Sequence, residues 1–144
     1  MSTGAQRAAV WSQRAVIDYA LQRRAVLADL RRGRAFATDL CDADPYLLRA
    51  AEHHGVPAGR PCPVCRGDEL AELSYVFGEE LGPYQGRIRA PRELDVMAGE
   101  YGEFRVYVVE VCRHCSWNFL TTTYVLGDGT PRPPLRAHRG DPVL

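Results

Sequence analysis

Four of the five cysteines form two Cys-x-x-Cys pairs, a spacing typical of a metal site. Cys62 and Cys65 form the first pair, and Cys112 and Cys115 form the second. Two intervening residues allow a tight turn to direct both sulfurs at one ion while backbone N–H groups donate to those sulfurs. Each turn supplies half of a tetrahedron, so the two turns together predict one site with four thiolates. The alternative is two reduced or redox-active pairs, but a thioredoxin-like motif would open a helix after a strand.

Zinc is the metal that we expect at this site, with iron as the less favoured alternative. Iron in a rubredoxin-like centre takes the same four ligands, but neither turn has glycine directly after its second cysteine. Four thiolates leave no position for a catalytic water, which predicts a structural Zn²⁺. A zinc ion with four thiolates has a formal charge of −2. Arg66, Arg113 and His114 could offset this charge. Cys41 is interpreted as a small core residue or as a fifth thiol near the metal.

Two helices are predicted before the first cysteine turn. Residues 8–32 contain neither glycine nor proline, and Gly33 suits a left-handed cap. The second helix, PYLLRAAEHH, has Asp44 as its N-cap, a proline at its first position and Gly55 at its end. The pattern predicts a helical hairpin within an N-terminal element of residues 1–58.

Three strands with many β-branched and aromatic residues are predicted next, namely LAELSYVFG, FRVYVVEVC and WNFLTTTYVLG. FRVYVVEVC is apolar on both faces, which indicates a central strand. The order of cysteine turn, strand, insertion, strand, cysteine turn and strand predicts a zinc ribbon, a three-stranded antiparallel sheet in an α+β chain. The ribbon occupies residues 59–127 and starts with a Pro/Gly-rich connector. Its inserted loop, residues 79–103, includes one helical turn after Pro91, and residues 128–144 form a flexible Pro/Arg-rich tail.

The charges are polarised along the chain although the formal net charge is zero. Residues 1–34 contain seven arginines against two aspartates, whereas residues 61–110 contain ten acids against five arginines. This polarity indicates docking of the first helix onto the ribbon, or contact between that helix and a partner. Arginine suits the recognition of phosphate and carboxylate groups. The arginines that could contact a partner are Arg7, Arg14, Arg23, Arg24, Arg31 and Arg32.

Composition and absent motifs exclude several classes of protein. With 144 residues, 46% of them hydrophobic, the chain suits one compact domain with an appended element. Neither a membrane-spanning run nor a secretory signal is evident, so a cytoplasmic location is expected. Phosphate-binding, dinucleotide-binding, zinc-protease and hydrolase motifs are absent, which argues against an enzyme and against a small-molecule substrate. His53 and His54 are expected at the surface, because four cysteines already complete a ligand set.

Several motifs together resemble a known family. DLCDADPYLLRAA, RPCPVC and VYVVEVCRHCSWNFL, with the arginine-rich first helix, are similar to a family of short uncharacterised actinobacterial proteins. That family is a domain of unknown function with a four-cysteine ribbon, so the resemblance implies a cytoplasmic actinobacterial protein and no particular activity. The ribbon is also similar to zinc ribbons of transcription and translation factors, at the level of fold alone.

Three functions remain open at this point. The favoured one is an interaction protein whose rigid ribbon carries surfaces for a protein or ribonucleoprotein assembly, such as the transcription or translation machinery. The second is a single-stranded nucleic-acid-binding protein in which aromatic rings stack on bases; otherwise the same rings form the ribbon's core. The third is a rubredoxin-like redox protein. The aromatic residues in question are Tyr75, Trp117, Phe119 and Tyr124.

Overall fold

The computed structural model describes residues 13–136, which adopt an α+β fold with a six-stranded antiparallel sheet. The strands are β1 (Arg14–Asp18), β2 (Val56–Pro61), β3 (Glu69–Phe77), β4 (Arg87–Ile88), β5 (Phe104–Val111) and β6 (Asn118–Leu126). The helices are α1 (Ala20–Arg31), α2 (Ala37–Leu40), α3 (Pro45–His54) and α4 (Pro91–Glu100), and a 3₁₀ helix spans Glu79–Tyr84.

The strand order is β1-β6-β5-β3-β2, and β4 pairs with β3 in addition. β5 lies between β6 and β3, as its two apolar faces predict. The three predicted strands are confirmed as β3, β5 and β6. The predicted three-stranded sheet is nevertheless too small, because β1, β2 and β4 extend it.

The predicted N-terminal helix is wrong in its first part, where the chain forms β1 and pairs with β6. Val16 and Ile17 are β-branched and suit a strand. A carboxylate oxygen of Asp18 then accepts a 2.8 Å hydrogen bond from the backbone N–H of Ala20, where α1 begins. Pairing with β6 therefore outweighs the helical preference of the surrounding residues. Residues 8–12 of the prediction lie outside the described part of the chain.

The predicted second helix is confirmed as α3. Asp44 Oδ1 accepts a 2.8 Å hydrogen bond from the backbone N–H of Leu47, proline occupies the first turn, and Gly55 follows the last residue. Gly33 has a φ of +74°, so it takes the left-handed conformation expected after α1. The helix α2, which sequence patterns do not indicate, interrupts the connection between α1 and α3.

The connector expected before the first cysteine turn is a strand, β2, and this is a second correction. Its prolines and its glycine argue against a strand in the middle of a sheet. β2 lies at the outer position next to β3, and edge strands are where a sheet tolerates proline. Val56 pairs with Glu72, and the register then shifts between Pro57 and Pro61. The edge position and this irregularity accommodate residues that would break a central strand.

The insertion at 79–103 contains more regular structure than one helical turn. Its helix α4 has ten residues and buries Leu94, Met97 and Ala98, and it is preceded by the 3₁₀ helix and β4. The chain after β6 returns to this region, where the backbone N–H of Leu135 donates to the carbonyl of Glu80 at 3.0 Å.

The described chain divides into two compact units, which we name the cysteine unit (residues 18–73 and 108–122) and the insertion unit (residues 13–17, 74–107 and 123–136). The cysteine unit contains α1, α2 and α3, and the insertion unit contains α4. Across residues 13–136, every helix is too short or too polar to cross a membrane.

Candidate metal centre

The sheet brings the two cysteine turns to one place. The first turn connects β2 to β3, and the second connects β5 to β6. β3 begins shortly after the first turn, and β5 ends just before the second. Because β3 and β5 are antiparallel neighbours, the start of one lies beside the end of the other. Two turns separated by a long stretch of sequence are therefore adjacent in space.

The four paired cysteines form one cluster, with all four sulfurs within 4.8 Å of one another. The Sγ atoms of Cys62 and Cys115 are 3.6 Å apart, as are those of Cys65 and Cys112. Each of these contacts joins one turn to the other. A tetrahedral zinc ion with bonds of about 2.3 Å places its sulfurs roughly 3.8 Å apart. The cluster matches this spacing and could hold a metal ion.

The two turns share the same backbone conformation. In each turn, the residue after the second cysteine donates its backbone N–H to the carbonyl of the first cysteine. Arg66 donates to Cys62 at 3.1 Å, and Ser116 donates to Cys112 at 3.0 Å. These two donors have φ values of +55° and +73°, a left-handed conformation that costs a non-glycine residue about 1–2 kcal/mol. The turns adopt this geometry even though glycine is absent there.

Backbone N–H groups donate to the sulfurs, as the cysteine spacing predicts. Such bonds stabilise thiolate charge and orient each sulfur towards an ion. In the first turn, the backbone N–H of Val64 donates to Cys62 Sγ at 3.4 Å and that of Gly67 donates to Cys65 Sγ at 3.3 Å. In the second turn, the backbone N–H of Cys115 donates to Cys112 Sγ at 3.5 Å.

The pKa values of the Cys65, Cys112 and Cys115 thiols are shifted in different directions. Burial raises the pKa of the Cys112 thiol and, more strongly, that of the Cys115 thiol. Burial also acts on Cys65, but hydrogen bonds outweigh it, above all the one from the backbone N–H of Gly67, and the pKa of Cys65 is lowered. Since cysteine binds a metal ion as thiolate, any ion bound here would displace protons from these thiols.

The sulfur cluster is part of a hydrophobic core. Cys62 and Cys112 are fully buried, and they pack in one cluster with Leu27, Leu70 and Trp117. Leu27 belongs to α1, so the first helix covers the cysteine turns. The packing of the helix is therefore coupled to the arrangement of the four sulfurs.

Cys41 lies beside the cluster and is not one of its four members. Its Sγ is 3.6 Å from that of Cys115, with the Cys41 thiol as donor. Burial raises the pKa of the Cys41 thiol. The interpretation of Cys41 as a core residue is confirmed, because it packs against the core, and its sulfur also lies beside the four-cysteine cluster.

The residues expected to offset the charge of the site are exposed around the turns. Arg113 forms an ion pair of 3.7 Å with Glu52, and the His114 ring lies close to Gly67 in the first turn. His53 and His54 are exposed at the end of α3, as expected.

Glu110 is a buried carboxylate that sequence reasoning did not identify. It lies on β5 and is completely buried, and it accepts hydrogen bonds from Arg23 at 2.7 Å, Arg60 at 2.8 Å and the indole N–H of Trp117 at 2.8 Å. The signal available in the sequence was a single acid within the apolar run VYVVEVC. A buried carboxylate requires such partners, because an unpaired charge in the interior is strongly destabilising.

The six arginines proposed for partner contact differ in whether they are bonded within the protein or exposed to solvent. Arg23 is bound to Glu110, and Arg14 donates to the carbonyl of Gly127 at 2.9 Å. Arg7 lies outside the described residues. The arginines of this set that lie exposed on or directly after α1 are Arg24, Arg31 and Arg32.

The aromatic residues considered for base stacking belong mainly to the interior. Trp117 is 1% exposed and Tyr124 is 9% exposed, while Phe119 stacks on Trp117 with ring centroids 5.8 Å apart. Tyr75 is half-buried on β3. The interpretation of these rings as core residues is therefore confirmed for Trp117 and Tyr124.

Comparison with known protein families identifies the group to which this chain is related. A model described as a family of unknown function, DUF5318, matches residues 10–139. The chain belongs to the DUF5318 family. This match and the mycobacterial relatives of the chain confirm the resemblance to an actinobacterial family with clustered cysteines.

Relatives of this DUF5318 chain occur in mycobacteria. It is 49% identical over 124 residues to "Uncharacterized protein Rv0049" of Mycobacterium tuberculosis (strain ATCC 25618 / H37Rv) and, equally, to "Uncharacterized protein Mb0050" of Mycobacterium bovis. Each match covers 86% of this chain and 90% of the relative. No solved structure matches the chain significantly.

Proposed function

We propose that this DUF5318 protein is a non-enzymatic interaction protein, stabilised by a structural zinc ion, that binds a protein or ribonucleoprotein assembly such as the transcription or translation machinery. The sulfur quartet is the observation that carries this proposal. Four thiolates complete the tetrahedron of the ion, so no position is left for a water or a substrate. The ion then contributes folding energy, and function resides on the surface that it stabilises.

Zinc is the metal we propose, because it favours closed four-thiolate sites and is redox-inactive, which suits a structural role. Cys62, Cys65, Cys112 and Cys115 are the proposed ligands. Thiols that must remain reduced suit a cytoplasmic location. The two turns, each between consecutive strands of the sheet, are supporting similarities to a zinc ribbon, here within a wider sheet.

The cysteine unit also presents exposed side chains suited to a partner. Arg24, Arg31 and Arg32 are free of ion pairs within the described part of the chain and face solvent. Phe36 and Tyr46 are 69% and 80% exposed in the same unit. Arginine and aromatic side chains contribute strongly to protein interfaces. We propose that α1 and the segment after it form part of the contact surface.

Metal analysis tests the first half of the proposal. Protein purified without added metal should contain one zinc per chain by mass spectrometry and should be colourless. Stoichiometric iron with visible thiolate-to-iron absorption would instead support the rubredoxin-like alternative. A chain with neither metal would contradict the structural-metal proposal.

A charge-reversal comparison tests the second half. The double variant Arg24→Glu/Arg31→Glu should lose subunits of an assembly that the wild-type protein captures from its host. The matched variant Arg92→Glu/Arg136→Glu, which changes two exposed arginines of the insertion unit, should retain them. Salt-dependent binding of the purified protein to bare single-stranded DNA or RNA would support the nucleic-acid alternative. If both variants captured the same subunits in equal amounts, the result would contradict a role for α1 in the contact surface.

A further inference from the structure

The segment that follows α2 is fixed against the second cysteine turn by contacts from three consecutive residues. One contact is between two sulfurs, one is between backbone groups, and one is between side chains. They are Cys41 Sγ to Cys115 Sγ at 3.6 Å, Ala43 N to Ser116 O at 3.0 Å, and Asn118 Nδ2 to Asp42 Oδ1 at 2.9 Å. All six residues belong to the cysteine unit.

Contacts within and next to α2 also fix the position of the Cys41 thiol. Its backbone N–H donates to the carbonyl of Ala37 at 2.8 Å, at the end of α2. Leu40, the preceding residue, packs against the same hydrophobic core as the sulfur cluster. The position of the Cys41 sulfur is therefore set by a helix end, by core packing and by the contacts with the second turn.

Cys41 is outside the set of four sulfurs that lie within 4.8 Å of one another. An ion bound by those four would have a full coordination shell. The Cys41 thiol would then keep its hydrogen, and the metal-bound Cys115 sulfur would carry negative charge and free lone pairs. The contact between them is oriented from Cys41 to Cys115.

We propose that Cys41 is a positioning residue of the metal centre, whose S–H donates a hydrogen bond to the metal-bound sulfur of Cys115. This inference rests on the proposed structural metal. The donor orients the Cys115 sulfur and stabilises its charge from outside the coordination shell. Removal of such outer partners typically weakens metal affinity 10- to 100-fold.

Cobalt(II) titration in competition with a chelator tests this role, since tetrahedral Co²⁺ bound by thiolates absorbs visibly. Wild-type protein should bind one Co²⁺. Cys41→Ala should bind one Co²⁺ with unchanged sulfur-to-cobalt charge-transfer intensity, because all four ligands remain, but with an affinity lower by about 10- to 100-fold. Cys41→Ser should recover most of that affinity, because its hydroxyl can donate to the same sulfur.

Two further variants separate hydrogen bonding from packing. Cys41→Val fills the space of the thiol without a donor and should match Cys41→Ala, so it decides the result if the alanine variant does not fold. Val26→Ala removes a side chain of α1 from the same core without touching the segment that carries Cys41, and should leave the cobalt affinity within a few-fold of wild type.

Three results would overturn the inference while leaving the structural metal intact. They are a wild-type affinity in both Cys41→Ala and Cys41→Val, failure of Cys41→Ser to recover affinity, and a loss of charge-transfer intensity in Cys41→Ala, which would make Cys41 a ligand. Absence of cobalt binding by the wild-type protein would refute the structural metal and this inference together.

Discussion

Trp117 donates its indole N–H to the carboxylate of Glu110 at 2.8 Å, and both side chains are shielded from solvent. Trp117 follows the second cysteine turn, whereas Glu110 lies two residues before it. The bond therefore spans the base of the turn. Through Arg23 and Arg60, the same carboxylate also connects β5 to α1 and β2.

Replacement of Trp117 by Phe should destabilise the metal-loaded protein by about 1.5–3 kcal/mol, the range for a hydrogen bond to a charged group. The aromatic contact with Phe119 would remain, but Glu110 would lose one of its three donors. Urea denaturation at constant zinc concentration measures the change. Phe119→Leu is the matched control, because it removes the stacked ring and keeps the indole donor. A Trp117→Phe variant as stable as wild type would show that this bond contributes nothing measurable.

Glu110→Gln should destabilise the protein by about 1.5–3 kcal/mol, because the amide has one acceptor oxygen for the three donors of Arg23, Arg60 and Trp117. Glu72→Gln offers a comparison on the same arginine. Glu72 also pairs with Arg60, at 3.3 Å, but its side chain is 35% exposed. Its substitution should therefore cost less than about 1 kcal/mol. Similar losses of unfolding free energy in the two variants would contradict a special role for the buried carboxylate.

Chelation should lower the thermal unfolding midpoint sharply, since the binding free energy of a structural zinc is on the order of 10 kcal/mol and is available only to the folded chain. Circular dichroism melts with and without chelator measure the shift. Cys62→Ser and Cys112→Ser should melt early and be insensitive to chelator, whereas Glu72→Gln should respond as wild type does. A wild-type melt unchanged by chelator would argue against any stabilising ion.

Two glycines after β6 allow a test that does not depend on the metal. Gly127 has a φ of +128°, and a Cβ there would lie 2.2 Å from the carbonyl oxygen of Gly102. Gly129 has a φ of +83° but open space around its Cβ direction. Gly129→Ala should cost about 1–2 kcal/mol from backbone conformation alone. Gly127→Ala should cost a further 1–3 kcal/mol or so from overpacking against the backbone. Equal unfolding free energies for the two variants would show that the backbone relaxes freely at Gly127.

Local chemistry made part of this fold predictable. The spacing of the cysteines predicted two turns whose sulfurs converge on one cluster, and the sequence of Asp44, Pro45 and Gly55 marked both ends of α3. The apolar runs of β3, β5 and β6 were long enough to indicate strands without knowledge of their neighbours. In each case the determining interaction lies within a few residues of sequence, or follows from the ligand number of the metal.

The remaining elements depend on partners that are distant in sequence. β1 is a strand because β6 offers it a hydrogen-bonding edge, and β2 is a strand because its prolines lie at an outer position of the sheet. Neither condition is visible in the segments themselves. The pairing of Glu110 with Arg23 and Arg60 has the same origin. A lone acid in an apolar run shows that partners must exist, but only the fold selects which arginines supply them.

The separation of the two cysteine turns has a consequence for biosynthesis. Cys65 and Cys112 are separated by 46 residues, which a ribosome adds in roughly 2–10 s at about 5–20 residues per second. During that interval the nascent chain carries only half of its ligands. The proposed ion would therefore gain its full set of four sulfurs only after translation of the second turn.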